Sequence, residues 1–297
     1  ALSTTEEFNV SIDTVTAGAW ASGAVVPYSA RQNMTLGLQG AAMNVGGYTT
    51  TTVNTSVEYD GTNWTATPAL NVEARFGGVA GTTAAGLQFA GIQTATYSAN
   101  VQTWNGSTWA DSPYNLTTGT YGTMGCGTQT AALKVAGENP AGGNYTTGEE
   151  FDGEAWTASG ALPQAKYAAA GNGVQTSAII TGGSPSGTTT FEYNGTGWVA
   201  GGALNTSRPA GQAGSGGTTT DSNIVFGGGQ PSLVSATEGY DGTTWSTRPS
   251  LATARAFMTG AGTATAGLCA QGAPPTGTTN LTELFTGETS AATASTL

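Results

Sequence analysis

Five times in this chain an aromatic residue is followed by Asp or Asn, then Gly, two further residues and Trp. The copies are Tyr59-Asp60-Gly61-Thr62-Asn63-Trp64, Trp104-Asn105-Gly106-Ser107-Thr108-Trp109, Phe151-Asp152-Gly153-Glu154-Ala155-Trp156, Tyr193-Asn194-Gly195-Thr196-Gly197-Trp198 and Tyr240-Asp241-Gly242-Thr243-Thr244-Trp245. Asp-Gly or Asn-Gly between apolar residues is a strong hairpin signal, because such a turn asks both residues to accept positive φ. Five hairpins of one design, 42 to 47 residues apart, define a repeat protein.

A second landmark recurs six times, as an apolar strand ending in small residues. It is Met43 to Gly47, Leu87 to Gly91, Leu133 to Gly137, Ile179 to Gly183, Ile224 to Gly228 and Leu268 to Gly272. A glycine-rich strand precedes it, as in Phe76 to Gly81 and Tyr121 to Gly127. Four short strands per repeat, at a period near 45, select a six-bladed β-propeller with four antiparallel strands per blade. Small residues suit innermost strands that converge on the axis, and Tyr, Phe and Trp suit the wedges that widen outward.

The sixth repeat has Phe285 but no Trp, since Ser290 fills that position. A spare Trp strand lies at the other end, where Ala17 to Gly23 around Trp20 resembles Glu154 to Gly160. We therefore expect the Trp20 strand to complete the Phe285 blade, with Thr289 to Leu297 as the competing outer strand. The whole of 1–297 is expected to be one propeller domain. Residues 1–16 form either an extra edge strand or an arm to a partner. Trp20, Trp64, Trp109, Trp156, Trp198 and Trp245 are its structural anchors.

Glycine supplies 47 of 297 residues and charged residues only 8%, which alone would suggest disorder; the regular apolar anchors argue for a glycine-rich all-β fold instead. Seven cations against eighteen carboxylates give a net charge of −11, too few cations for a nucleic-acid surface. No apolar run is long enough for membrane insertion, and the first residues lack a signal peptide's basic start and apolar core. Either that export route is not used or a leader has been removed. Cys126 and Cys269 fall on different strand types of different repeats, so two buried free thiols are expected rather than a disulfide. There is no His, which excludes His-dependent zinc and Ser-His-Asp chemistry. No cofactor or metal is expected.

Gly-Gly after an apolar strand, then Tyr-Asp, then Trp, then a basic residue about ten positions on, resembles the kelch repeat. The resemblance runs from about Trp20 to Gly287. It implies a kelch-like propeller, a fold that hosts enzymes, scaffolds and receptors alike. The Thr/Gly-rich form, with Gly127-Thr128-Gln129-Thr130-Ala131, resembles kelch-like virion proteins of marine bacteriophages. This implies a non-enzymatic structural or attachment protein of a virion, such as a capsid decoration, tail or fibre component. Its partners would be other virion proteins or host-surface glycans, within a larger assembly. The alternative is a lectin or sialidase-like glycoside hydrolase using the axial mouth. The Thr243-Thr244-Trp245 turn ends like the Asp box of sialidases, although Asp241 and Gly242 are adjacent here.

Five of the seven cations, Arg31, Arg75, Lys166, Arg208 and Arg255, precede the innermost strands, and Thr120 breaks the set. Around a propeller axis they would make a positive mouth for an acidic sugar or phosphate, since guanidinium groups grip such anions bidentately. The competing role is to bond backbone carbonyls or a neighbouring carboxylate. Glu58, Glu150 and Glu192 precede the aromatic by one residue and Glu149, Glu238 and Glu283 by two, so the sets face opposite sides; solvated edge charges are expected. Tyr28, Tyr48, Tyr97, Tyr114 and Tyr145 lie near loops, where they either stack sugars or pack beneath the chain. Asp60, Asp152 and Asp241 serve turns rather than calcium.

Overall fold

The computed structural model describes residues 10–211, 213–216, 219–229 and 232–295, and no helix occurs among them. Six four-stranded antiparallel sheets stand around one axis. Blade 1 comprises Met34–Leu38, Ala41–Val45, Ser56–Tyr59 and Trp64–Thr67, from innermost to outermost. Blade 2 runs from Gly78–Thr82 to Trp109–Asp111, blade 3 from Met124–Gly127 to Trp156–Ala158, and blade 4 from Ala170–Val174 to Trp198–Ala200. Blade 5 runs from Ala213–Gly216 to Trp245–Arg248. Blade 6 comprises Thr259–Gly262, Ala266–Ala270 and Thr282–Thr286, with Ala19–Ser22 as its outermost strand. The expected six-bladed propeller is thus the fold observed. The top face carries the linkers into the innermost strands and the loops between second and third strands. The Asp/Asn-Gly hairpins lie on the bottom face.

Those hairpins differ from expectation in one respect. Tyr59 pairs with Trp64, leaving a four-residue loop in which Gly61 has φ of 92° while Asp60 stays outside the left-handed region. The aspartate instead accepts the N–H groups of Thr62 (2.8 Å) and Asn63 (2.7 Å). Asn105, Asp152, Asn194 and Asp241 do the same. Asp and Asn are there as acceptors for an Asx turn, and only Gly is there for φ. The donated N–H groups hold the carboxyls of Asp60, Asp152 and Asp241 below the usual range.

The apolar core is divided into six wedges, each between two blades. Met124, Leu133 and Val135 of blade 3 meet Ile180, Phe191, Tyr193 and Trp198 of blade 4, and the other gaps repeat the scheme. Each repeat Trp reaches back across its wedge. Trp64 Nε1 donates to Thr282 Oγ1 (3.0 Å), Trp109 to Ser56 Oγ (3.4 Å), and Trp245 to Thr190 Oγ1 (3.0 Å). In blade 3 that position is Gly148, which has no hydroxyl, and Trp198 donates to the Gly160 carbonyl instead (3.1 Å). Trp156 meets Val101, and its indole N–H has no partner. Indole N–H groups need an acceptor when buried, so the first residue of each third strand and the next blade's Trp form one unit.

Ring closure follows the same pattern. Trp20 pairs with Phe285 in register, and its Nε1 donates to Thr237 Oγ1 of blade 5 (3.0 Å). Val26, six residues after Trp20, is buried and its N–H bonds to Asn280 O; Leu70, Leu116, Leu162, Leu204 and Leu251 make the equivalent bond in the other linkers. The competing outer strand, Thr289–Ser295, pairs with Val10–Thr16 in a separate two-stranded ribbon; residues 1–9 lie outside the described residues. Between blades 6 and 1, Asn33 and Asn44 both donate to buried Gln271 Oε1. Cys126 and Cys269 are buried free thiols. The innermost strands approach closely: a Cβ on Gly125 would lie 2.5 Å from the Phe89 ring and 2.7 Å from Val79 N.

Candidate functional site

The five linker cations do not share one position. In every blade the second glycine or its equivalent donates its N–H to a linker carbonyl, of Ala74, Thr120, Lys166, Arg208, Arg255 and Ala30 in turn. Lys166, Arg208 and Arg255 occupy this register, whereas Arg31 and Arg75 come one residue later. A one-residue slip in extended chain turns the side chain to the other side. Lys166, Arg208 and Arg255 accordingly point into their blades and are at most 1% exposed. Arg208 pairs with Glu238 at 3.0 Å and donates to the carbonyls of Gly227 and Ala236. Arg255 pairs with Glu283 and donates to Cys269 Sγ. Lys166 Nζ donates to Ser186 O (2.7 Å).

Of the two cations outside the linkers, Lys134 and Arg248, the first explains the break at Thr120. Lys134, on the second strand of blade 3, is cross-strand partner to Glu149 and is 1% exposed. Burial lowers its pKa to about 8, opposed by the Glu149 charge. Blade 3 has thus moved its internal cation from linker to strand. The carboxylates also depart from the expected solvated edge positions. Glu149, Glu238 and Glu283 are buried and accept the linker N–H groups of Thr117, Asn205 and Thr206, and Ala252. Glu150 and Glu192 accept the hydroxyls of Tyr193 (2.7 Å) and Tyr240 (2.5 Å) from the next blade. They are internal acceptors rather than solvated edge charges, because each faces an unpaired N–H or a tyrosine hydroxyl across a wedge.

Around the axis on the top face runs a closed belt of backbone hydrogen bonds. Gln32 N bonds to Phe257 O, Phe257 N to Gly211 O, Gly211 N to Ala168 O, Ala168 N to Gly122 O, Gly122 N to Phe76 O and Phe76 N to Gln32 O, all within 2.6–3.2 Å. All six residues have positive φ, four of them non-glycine. Such a conformation costs about 1–3 kcal/mol per non-glycine residue and persists only where the surroundings enforce it. The Phe76 ring packs edge-on against Tyr121, Tyr167 and Phe257 and stoppers the mouth. Neither axial recess, of about 110 Å³ beneath this stopper or about 150 Å³ at the bottom face, is lined by a charged side chain.

Beside the stopper, the other two linker cations meet the loop tyrosines. The Tyr48 ring lies 4.4 Å from Arg75 Cζ and 5.3 Å from Arg31 Cζ. Arg75 donates to Gln32 Oε1 (3.2 Å), and Gln32 Nε2 donates to Tyr121 Oη (2.8 Å). Tyr97 stacks on Tyr121 at 5.5 Å and donates to Glu138 (3.1 Å). A connected strip, Arg31–Tyr48–Arg75–Gln32–Tyr121–Tyr97, therefore crosses the loops of blades 1 to 3. Tyr97 is held there by a small hairpin, Ile92–Gln93 with Thr96–Tyr97, whose turn residues Thr94 and Ala95 have positive φ. Neither residue signals such a turn in the sequence. Of the other loop tyrosines, Tyr28 donates to Gly46 O, Tyr145 faces Lys134, and Tyr114 is exposed beside Phe151. Among the described residues no cluster of three His, Cys, Asp or Glu side chains could hold a metal ion, and no helix is long and apolar enough to cross a membrane.

This architecture defines a six-bladed β-propeller. Among solved structures, the structure of YjhT superposes with a TM-score of 0.71, covering 90% of this chain and 99% of that one at 16% identity. At that identity the likeness is one of fold. No protein-family model and no curated protein matches the sequence.

Proposed function

We propose that this propeller binds rather than catalyses, as a structural or attachment protein of a phage particle that holds a host-surface glycan on its top face. The observation that carries the binding reading is Tyr48 between Arg31 and Arg75, continuous with the Tyr121–Tyr97 stack. Aromatic faces stack on sugar rings, and guanidinium groups supply charge-assisted bonds to acidic substituents. The belt fixes Gln32 and Phe76 and so presets the strip, which lowers the entropy lost on binding. The phage setting rests on the resemblance of the Thr/Gly-rich repeats to kelch-like virion proteins and on a charge-poor surface suited to packed assemblies.

A glycan array with the wild type, Tyr48→Ala and the Arg31→Ala/Arg75→Ala double variant tests the binding reading. Retention of acidic glycans by the wild type, weakened in both variants at unchanged melting temperature, is expected. Binding indifferent to both variants, or turnover of sialosides by the isolated protein, would overturn it. Negative-stain imaging of phage particles labelled with an antibody to this chain tests the setting, with decoration of the particle expected.

A further inference from the structure

A cleft of about 410 Å³ lies away from the top-face strip, at the rim between blades 5 and 6. Four departures from the repeat coincide there. In the two preceding gaps a glutamate of one blade accepts the tyrosine hydroxyl of the next, as Glu150 does from Tyr193 and Glu192 from Tyr240. Between blades 5 and 6 the glutamate position is Gly239 and the tyrosine position is Phe285. In blades 1, 3 and 4 a glutamine two residues after the innermost strand's last glycine bridges to the preceding blade, as Gln39, Gln129 and Gln175 do. In blade 6 that position is Ala264, which lines the cleft.

The fourth departure adds a group instead of removing one. Three residues after the repeat Trp the other blades carry Thr67, Ser112, Ser159, Gly201 and Gly23. Blade 5 carries Arg248. In blade 4 this position abuts the Tyr240–Glu192 pair, since a Cβ on Gly201 would lie 2.6 Å from Glu192 Oε1 and 2.8 Å from Tyr240 Oη. In blade 5 a Cβ on Gly239 would lie 2.8 Å from Arg248 Nε and 3.2 Å from its Nη2. The guanidinium thus sits where the absent glutamate would project. Arg248 is exposed and, among the described residues, its only side-chain hydrogen bond is a long one to the neighbouring Thr247 carbonyl (3.4 Å). Asn223, Thr247 and Thr265 line the walls, and Glu288 stands on the cleft without an ion pair to Arg248.

We propose that this cleft is a binding site for a small carboxylate-bearing sugar of the uronic acid class. Its carboxylate occupies the place of the missing glutamate and pairs with Arg248, in the bidentate geometry that guanidinium favours. The ring fills the space that a tyrosine hydroxyl and a glutamine side chain fill in other gaps, and its hydroxyls meet Asn223, Thr247, Thr265 and the Glu288 carboxylate. A cleft of this size holds one or two sugar rings, and its polar walls suit hydroxyls better than an apolar ligand.

Calorimetric titration of the full chain with glucuronate and with glucose tests the site. The wild type is expected to bind glucuronate at least about tenfold more tightly than glucose. Arg248→Ala is expected to erase that preference. Gly239→Glu, whose new carboxylate reaches Arg248 from within, is expected to block glucuronate with the fold intact, since the three atoms nearest its Cβ all belong to a flexible guanidinium. The Arg31→Ala/Arg75→Ala variant is expected to keep full glucuronate affinity, which separates this site from the top-face strip. Equal affinity for the two sugars, no binding of either, or a preference that survives Arg248→Ala overturns the proposal.

Discussion

Val101 stands at a position where Ser56, Thr190, Thr237 and Thr282 give the following blade's Trp an acceptor, and the partnerless Trp156 indole is the consequence. Val→Thr is nearly isosteric and supplies the missing hydroxyl. Val101→Thr is therefore expected to stabilise the protein by roughly 0.5–1.5 kcal/mol in urea unfolding, where the same exchange at an ordinary buried valine destabilises. Arg208 gives the opposite case: its removal leaves Glu238 buried without its cation, and Arg208→Ala is expected to cost about 3–5 kcal/mol. Arg31→Ala and Arg75→Ala are each expected to cost less than about 1 kcal/mol, the scale of a part-exposed cation–π contact. Lys134 adds a pH signature. Its folded pKa, about 8, lies below the unfolded value near 10.4. Below pH 8 both states are protonated and the burial cost is fully present. Between about pH 8 and 10.4 the folded state releases its proton first, so this residue's contribution to stability rises with pH. Lys134→Met is expected to be more stable than wild type at pH 7, with a margin that shrinks by on the order of 1–3 kcal/mol toward pH 10.4.

The element whose presence decides the fold is Ala19–Ser22, the outer strand of blade 6. Deleting residues 1–22 exposes the Phe285 strand edge and removes the Trp20 wedge, and a large fall in melting temperature is expected; an undiminished melting temperature would contradict the closure. This strand was legible in the sequence because two exceptions, Phe285 without a Trp and Trp20 without its hairpin, complement one another. Trp followed six or seven residues on by a buried Leu or Val was equally visible as a spacing and marks the linkers. The split of the basic residues was not visible. Arg31 and Arg75 differ from Lys166, Arg208 and Arg255 by one residue of register, and only the carbonyl taken by the Gly-Gly N–H fixes that register. The Thr94-Ala95 turn was hidden for a related reason, since tertiary contacts impose positive φ on residues that do not favour it.

At the scale of the whole molecule, each blade is joined to its neighbours by a short list of bonds that recur with substitutions. The list comprises the Trp N–H to the third strand, the Gly N–H to the linker carbonyl, the backbone belt, and glutamine or Tyr–Glu bridges where present. Between blades 5 and 6 both side-chain bridges are missing and Arg248 stands at the rim, where the wedge opens into the cleft. The proposed binding sites thereby fall at departures from the repeat, while the repeat itself supplies the ring. That ring depends on Trp20 and Trp64, whose indoles bind Thr237 and Thr282 on either side of the junction between chain ends. Hydrogen exchange of the Trp indole N–H groups in ¹⁵N-labelled protein tests this most directly. The closed ring predicts that Trp20 exchanges as slowly as Trp64, within about a factor of ten. Trp20 exchanging at the rate of a free indole while Trp64 stays protected would contradict it.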